Sequence, residues 1–282
     1  MSYKKIVVFY HKKCSDGFGA AWAAWRVFGN RAEYRGAEYN NSFLLAKNIK
    51  GKEVYFLDFT YPPKIMAEIV KKAAKTVVID HHITAKESVE MADDFLYDVN
   101  HSGAVLSWKY FHPRKPVPKL LNYIEDMDIW KWRLPSSAQI ISYIGTRDLD
   151  FKSWNSLAAE LEKADKRRKI IKQGEVLIKY RDLLVQRAID RAEAVSFEGY
   201  KVLAVNYSDR ELVSYIGNGL AKKHPPFAII WFAREGNLFV SLRSVKNFDV
   251  AKIAKKYGGG GHRAAAAFCL PIKIAFPWKK IK

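Results

Sequence analysis

The sequence predicts an α/β protein: an N-terminal open, mainly parallel sheet with helices on both faces, a long helical connector, and a smaller C-terminal α/β domain with a mixed sheet. Three observations predict it. Short apolar runs at residues 6–10, 53–57 and 77–79 have the length and β-branched or aromatic content of buried strands. Helical periodicity lies between them, which is the strand–helix–strand order of a parallel sheet. After a long charged helical stretch, strand patterns return from residue 200 onward.

Residues 6–10 (Ile-Val-Val-Phe-Tyr) read as the first strand, followed at once by His11, Cys14, Ser15, Asp16 and Gly17. Phe18, Ala21, Trp22, Trp25 and Phe28 then recur at three- and four-residue spacing, a helix stopped by Gly29-Asn30. Asp16 alone reads as a helix N-cap; with His11 five residues earlier it is a candidate metal ligand. Residues 33–39 form a weak second strand. Residues 53–57 form a stronger third, ending at Asp58, and Pro62-Pro63 open a helix. Residues 77–79 lead into Asp80-His81-His82. Parallel strands point the same way, so these polar strand ends converge on one edge of one sheet, where ligands collect in open α/β folds.

Ser102 opens a helix through Trp108 and Phe111, either as its N-cap or, since a helix N-terminus also holds phosphate, as a substrate contact. A helix beginning at residues 116–124 runs into Glu125-Asp126-Met127-Asp128-Ile129-Trp130-Lys131-Trp132, where either Asp126 or Asp128 offers one more carboxylate. Residues 153–195 read as a charged helical connector. Residues 200–205, 227–232 and 238–244 are strand-like, and Asp249 caps a helix that stops at Gly258-Gly259-Gly260-Gly261-His262. Glycines bring backbone N–H groups close to a ligand, which suits a phosphate, with Arg243 and His262 as charged donors. The basic segment 273–282 reads as a loosely ordered tail.

Length and composition narrow the function. The 282 residues suffice for two domains, and 49% of them are hydrophobic. No apolar run approaches the roughly 20 residues of a membrane helix. Two cysteines supply no disulfide framework and fit a reducing cytoplasm. The 48 basic against 29 acidic residues leave +19, a balance suited to a polyanion such as nucleic acid, nucleotide or polyphosphate.

Taken in order, His11 to Gly17, Asp58, Asp80-His81-His82, Asp128 to Trp132 and Gly258 to His262 resemble the motifs of the DHH phosphoesterase superfamily, with its DHH-associated C-terminal substrate domain. The Asp-x-Trp-x-Trp segment is most similar to the oligoribonuclease and nucleotide phosphatase branch. The resemblance implies a catalytic domain at 1–150, a connector at 151–195, a substrate-binding domain at 196–272 and the tail at 273–282. It also implies hydrolysis by a two-metal mechanism, with two Mn2+ ions, or Mg2+ or Co2+ in their place. By the same resemblance His11, Asp16, Asp58, His81 and Asp128 hold metal, and Asp58 bridges the ions. Asp80 orients His81, and His82 faces the substrate phosphate. Ser102, Arg243, Gly259, Gly260, Gly261 and His262 hold the substrate from their own elements. The implied substrates are short oligoribonucleotides, linear dinucleotides or 3′-phosphoadenosine 5′-phosphate, in the cytoplasm, with a homodimer left open. The sequence departs from the pattern at Cys14, which stands where many members have a further Asp. Exonuclease action on longer single strands, exopolyphosphatase activity and a weakened, nucleotide-binding descendant are the competing readings.

Overall fold

The computed structural model describes residues 5–12, 14–37, 48–209, 211–245, 248–272 and 276–281, in two compact units, Met1–Ile178 and Lys179–Lys282. In the first, the chain runs β1 (Ile6–His11), α1 (Ser15–Phe28), β2 (Ala32–Ala37), β3 (Glu53–Leu57), α2 (Pro63–Lys72), β4 (Lys75–Asp80), α3 (Lys86–Val89), β5 (Asp94–Tyr97) and α4 (Gly103–Phe111). Then come α5 (Lys119–Asp128), α6 (Ser137–Ile144), α7 (Phe151–Glu162) and α8 (Ala164–Asp190), whose last turns belong to the second unit. Positions 38 and 39 of the expected second strand lie outside the described residues.

The first sheet has the order β2-β1-β3-β4-β5, all parallel. Alternation along each strand sends Val7, Phe9, Val54, Phe56 and Val78 to one face, against Met66 and Ile69 of α2 and Val89 of α3. Val8, Tyr55, Leu57, Val77 and Ile79 go to the other, against Ala20 and Ala24 of α1 and Leu106 of α4. Both faces are covered, so the strands are apolar throughout. The chain leaves β1 for β2 on one side and returns to β3 on the other. The β1/β3 boundary is therefore the topological switch point, where doubly wound sheets open a crevice.

Residues 151–162 do more than connect. Trp154, Leu157 and Leu161 of α7 are fully buried with Trp22, Leu121 and Ile140. The second unit begins earlier than the helical pattern suggested: β6 (Glu193–Phe197) is a strand, with Val195 and Phe197 buried and their neighbours exposed. Glu198 and Gly199, both at positive φ, turn it back into β7 (Tyr200–Asn206). Then follow α9 (Val213–Lys223), β8 (Phe227–Arg234), β9 (Asn237–Ser244), α10 (Val250–Lys256), β10 (Gly260–His262), β11 (Ala265–Pro271) and β12 (Lys279–Lys280). The sheet order is β10-β11-β9-β8-β7-β6-β12, mixed because β7 and β8 are parallel and the other pairs antiparallel. The basic tail is not loose where it is described. β12 pairs with β6 and Trp278 packs on the core, because apolar side chains interrupt the lysines; residues 273–275 and 282 lie outside the described set.

Candidate metal centre

Four strand and helix ends meet at the switch point. His11 ends β1, Asp58 follows β3, Asp80-His81-His82 close β4, and Asp16 lies in the first turn of α1. Asp58 adopts a left-handed conformation at φ 53 while its N–H donates to Ile79 O at 2.9 Å. A non-glycine residue held there stores strain that the surroundings must over-determine. Asp58 is 1% exposed, and its Oδ1 accepts no hydrogen bond. His81 Nε2 stands 3.2 Å from that atom, and 3.6 Å from both Asp16 Oδ2 and Asp128 Oδ2. His11 Nδ1 is 3.6 Å from Asp58 Oδ2.

Asp16 is fully buried and does two jobs. Its carboxylate accepts from Gly103 N (2.7 Å) and Ala104 N (3.0 Å), satisfying the first free amides of α4, while facing His81. Ser102 caps the same helix, accepting from Val105 N at 3.4 Å, so the cap reading of this residue holds. Asp80 is placed differently from expectation. Its Oδ1 accepts from the backbone of His81 and His82, but the ring it touches is that of His82, at 2.7 Å from Nδ1.

The choice between Asp126 and Asp128 is also geometric. Asp126 is 4% exposed and its carboxylate accepts from Arg133 N and Leu134 N, tying down the turn after α5. Asp128, the last residue of α5, faces His81. Cys14, absent from the expected ligand set, joins it: ligand atoms of His11, Cys14 and Asp58 lie within 4.8 Å of one another. So do those of Asp58, His81 and His82, and those of Asp16, His81 and Asp128. The signal for Cys14 was its position in the loop after β1, two residues before Asp16.

The second unit holds the remaining predicted residues. Arg243 on β9 is half-buried and donates from Nη1 to Leu242 O at 3.0 Å. His262 on β10 is exposed. A Cβ at Gly259 would meet Ala267 O at 2.1 Å, and one at Gly261 would meet Ala265 O at 2.6 Å, so close approach of β11 demands glycine at both. Gly260 is open on that side.

Electrostatics set the cluster's chemistry. Burial, then Asp58 and Asp128, push the Asp16 carboxyl well up, and burial with Asp58 raises Asp128 to about 6. Burial would lower His81, but Asp58, Asp16 and Asp128 around it raise it to about 9. Burial would raise Asp58, yet His11, His81 and His82 hold it below the ordinary range. In the metal-free chain an imidazolium thus partly neutralises a carboxylate cluster. Three carboxylates, imidazoles and an unpartnered buried oxygen fit divalent cations.

A pH dependence follows. A raised folded-state pKa means that the folded chain binds more protons, so stability falls as pH rises. For His81 the loss runs from its ordinary 6.5 to about 9, and for Asp128 from 3.8 to about 6. The melting temperature of EDTA-treated protein should fall from pH 6.5 to 9. The gain on adding a divalent ion should grow over the same range, because ligands must be deprotonated. Melting curves insensitive to pH would contradict this account.

A doubly wound parallel sheet with an Asp/His cluster at its switch point, followed by a separate mixed-sheet unit, defines an α/β protein with a candidate divalent-metal site. Comparison with known proteins makes the assignment specific. Residues 198–276 match the DHHA1 domain. The chain is 31% identical over 300 aligned positions to uncharacterized protein R106 of Acanthamoeba polyphaga mimivirus, covering 98% of this chain and 70% of that one. It is 24% identical to the oligoribonuclease NrnB of Bacillus subtilis (strain 168), covering 92% of this chain and 71% of that one. Its fold superposes on the pGpG-specific phosphodiesterase PggH of Vibrio cholerae with a TM-score of 0.56 at 13% identity, over 96% of this chain and 94% of that one. The chain belongs to the DHH phosphoesterase superfamily, whose members are hydrolases of phosphoester bonds. Among the described residues, no helix is long and apolar enough to cross a membrane.

Proposed function

We propose that this chain is a divalent-metal-dependent phosphoesterase acting on short oligoribonucleotides, linear dinucleotides or 3′-phosphoadenosine 5′-phosphate. The observation that carries the reading is the overlap of three potential ligand sets that share Asp58 and His81 at the switch point. In it Asp16, Asp58, His81 and Asp128 hold a hard ion such as Mn2+ or Mg2+. When bound, divalent ions supply Lewis-acid charge to the phosphoryl group and lower the pKa of the attacking water. His82 has a different task. The Asp80 carboxylate on its Nδ1 raises its pKa and orients the ring, which favours donation from Nε2 to a phosphoryl oxygen. In the second unit, Arg243 and His262 are the candidate phosphate-binding side chains. That NrnB is an oligoribonuclease and PggH a pGpG-specific phosphodiesterase supports this substrate class.

Trp130 favours nucleotides over inorganic polyphosphate. It is 64% exposed two residues beyond Asp128, at φ 57, edge-on to Trp132 at 5.4 Å between ring centroids. Lys131 N and Trp132 N both donate to Asp126 O, which fixes the turn that carries the indole. An exposed ring on a fixed turn two residues after a candidate ligand is a platform for a base, worth roughly 1–3 kcal/mol.

The test is a 5′-labelled RNA ladder from the dinucleotide upward, plus 3′-phosphoadenosine 5′-phosphate, with Mn2+ or with EDTA. Metal-dependent loss of the shortest species is expected, and Trp130→Ala should lower kcat/KM for them roughly tenfold while leaving any polyphosphate hydrolysis unchanged. Faster cleavage of the longest strands would favour an exonuclease. Nucleotide binding without turnover in any metal would reject the enzyme.

A further inference from the structure

We propose that the half of this centre formed by His11, Cys14 and Asp58 takes a thiophilic divalent ion, Zn2+ or Co2+, through the cysteine sulfur, while the sulfur-free half takes the harder ion. The inference rests on the reading of the cluster as a metal centre. The ligand atoms of the three residues lie within 4.8 Å of one another, one sulfur, one imidazole nitrogen and one carboxylate oxygen. Cys14 is the N-cap of α1 but makes no side-chain cap hydrogen bond, so its sulfur is not committed to the helix. Its backbone is fixed, since Phe18 N donates to Cys14 O at 3.0 Å. The independent observation is Asp58, a carboxylate 1% exposed whose Oδ2 lies 3.6 Å from His11 Nδ1, while its buried Oδ1 faces His81 and makes no hydrogen bond.

Softness decides the ion. A thiolate strengthens binding of Zn2+ or Co2+ over Mn2+ or Mg2+, in the same direction as the general affinity order of divalent metals. Burial and the Asp58 and Asp16 carboxylates push the Cys14 thiol up to about 12, so it becomes a thiolate only as the ion binds and its proton passes to solvent. Three protein ligands leave one position open, the arrangement of catalytic rather than structural zinc. The set Asp16, His81 and Asp128 has no sulfur and keeps its preference for a hard ion. Asp58 belongs to the cysteine set and to the set with His81 and His82, and His81 belongs to the sulfur-free set, so the two selectivities would adjoin through these residues.

The experiment uses the full chain stripped with chelator and titrated with Co2+ alone, following the near-ultraviolet sulfur-to-cobalt charge-transfer absorption. The first equivalent should produce that band. Cys14→Ser and Cys14→Asp should abolish it, and Cys269→Ala, which alters the other and exposed cysteine, should retain it. After dialysis against equal Zn2+ and Mn2+, wild type should retain zinc that Cys14→Ser loses. Cobalt binding to wild type without the band overturns the inference, whatever the variants do, and so does a band that survives Cys14→Ser but not Cys269→Ala. The band without hydrolysis of any phosphoester upholds this inference and removes the proposed function. Hydrolysis without the band does the reverse.

Discussion

Asp58→Ala should abolish turnover and leave the protein folded. Asp58 contributes to two of the three potential ligand sets, so its loss weakens both halves of the centre at once. Removing a partner that merely supports a ligand costs roughly 10–100-fold in metal affinity or activity; removing the shared ligand should cost more than that. Deletion relieves repulsion, since Asp58 raises both Asp16 and Asp128, but it also takes away the carboxylate that His11, His81 and His82 surround. The variant should still melt cooperatively in EDTA, while the rise on adding metal should vanish. A folded Asp58→Ala protein with the wild-type rate would end the assignment.

Gly103→Ala should impair both stability and activity, against the usual direction of the substitution. Within a helix, alanine in place of glycine ordinarily gains about 1 kcal/mol. Here a Cβ would sit 2.5 Å from Asp58 Cβ and 2.9 Å from its Cγ and Oδ1. Gly103 N also donates to Asp16 at 2.7 Å, so displacing the start of α4 disturbs two candidate ligands together. Overpacking of this kind costs about 1–3 kcal/mol. Thermal melts and steady-state kinetics at saturating metal check it: the expected outcome is a lower melting temperature and a kcat reduced more than tenfold. An unchanged protein would mean that the close approach of α4 to Asp58 does not set the site's geometry.

The fold class was legible because its signals are local and periodic. Apolar runs at 6–10, 53–57 and 77–79, each followed by Asp or His, imply parallel strands sharing one functional edge. The observed order puts His11 and Asp58 on adjacent strands at the switch point. The second unit was less legible. β6 was read as the end of the helix because its five residues follow a long charged helix without a proline or glycine between them. The helix α9 went unread between its flanking strands.

The sequence by itself determined which residue types stand at which strand ends, and hence a cluster of His11, Asp16, Asp58, His81 and His82 on one edge of the sheet. Only the tertiary structure decided how they pair. It turned Asp128 toward His81 and gave Asp126 to the turn after α5, a choice between residues two apart on one helix. It set Asp80 against His82, brought Cys14 to His11 and Asp58, and made Asp16 the cap of a helix 87 residues away. The reason is physical. Periodicity records which face of an element is apolar, whereas the partner of a buried polar group depends on distances of a few ångströms between elements, fixed only when the core closes around them.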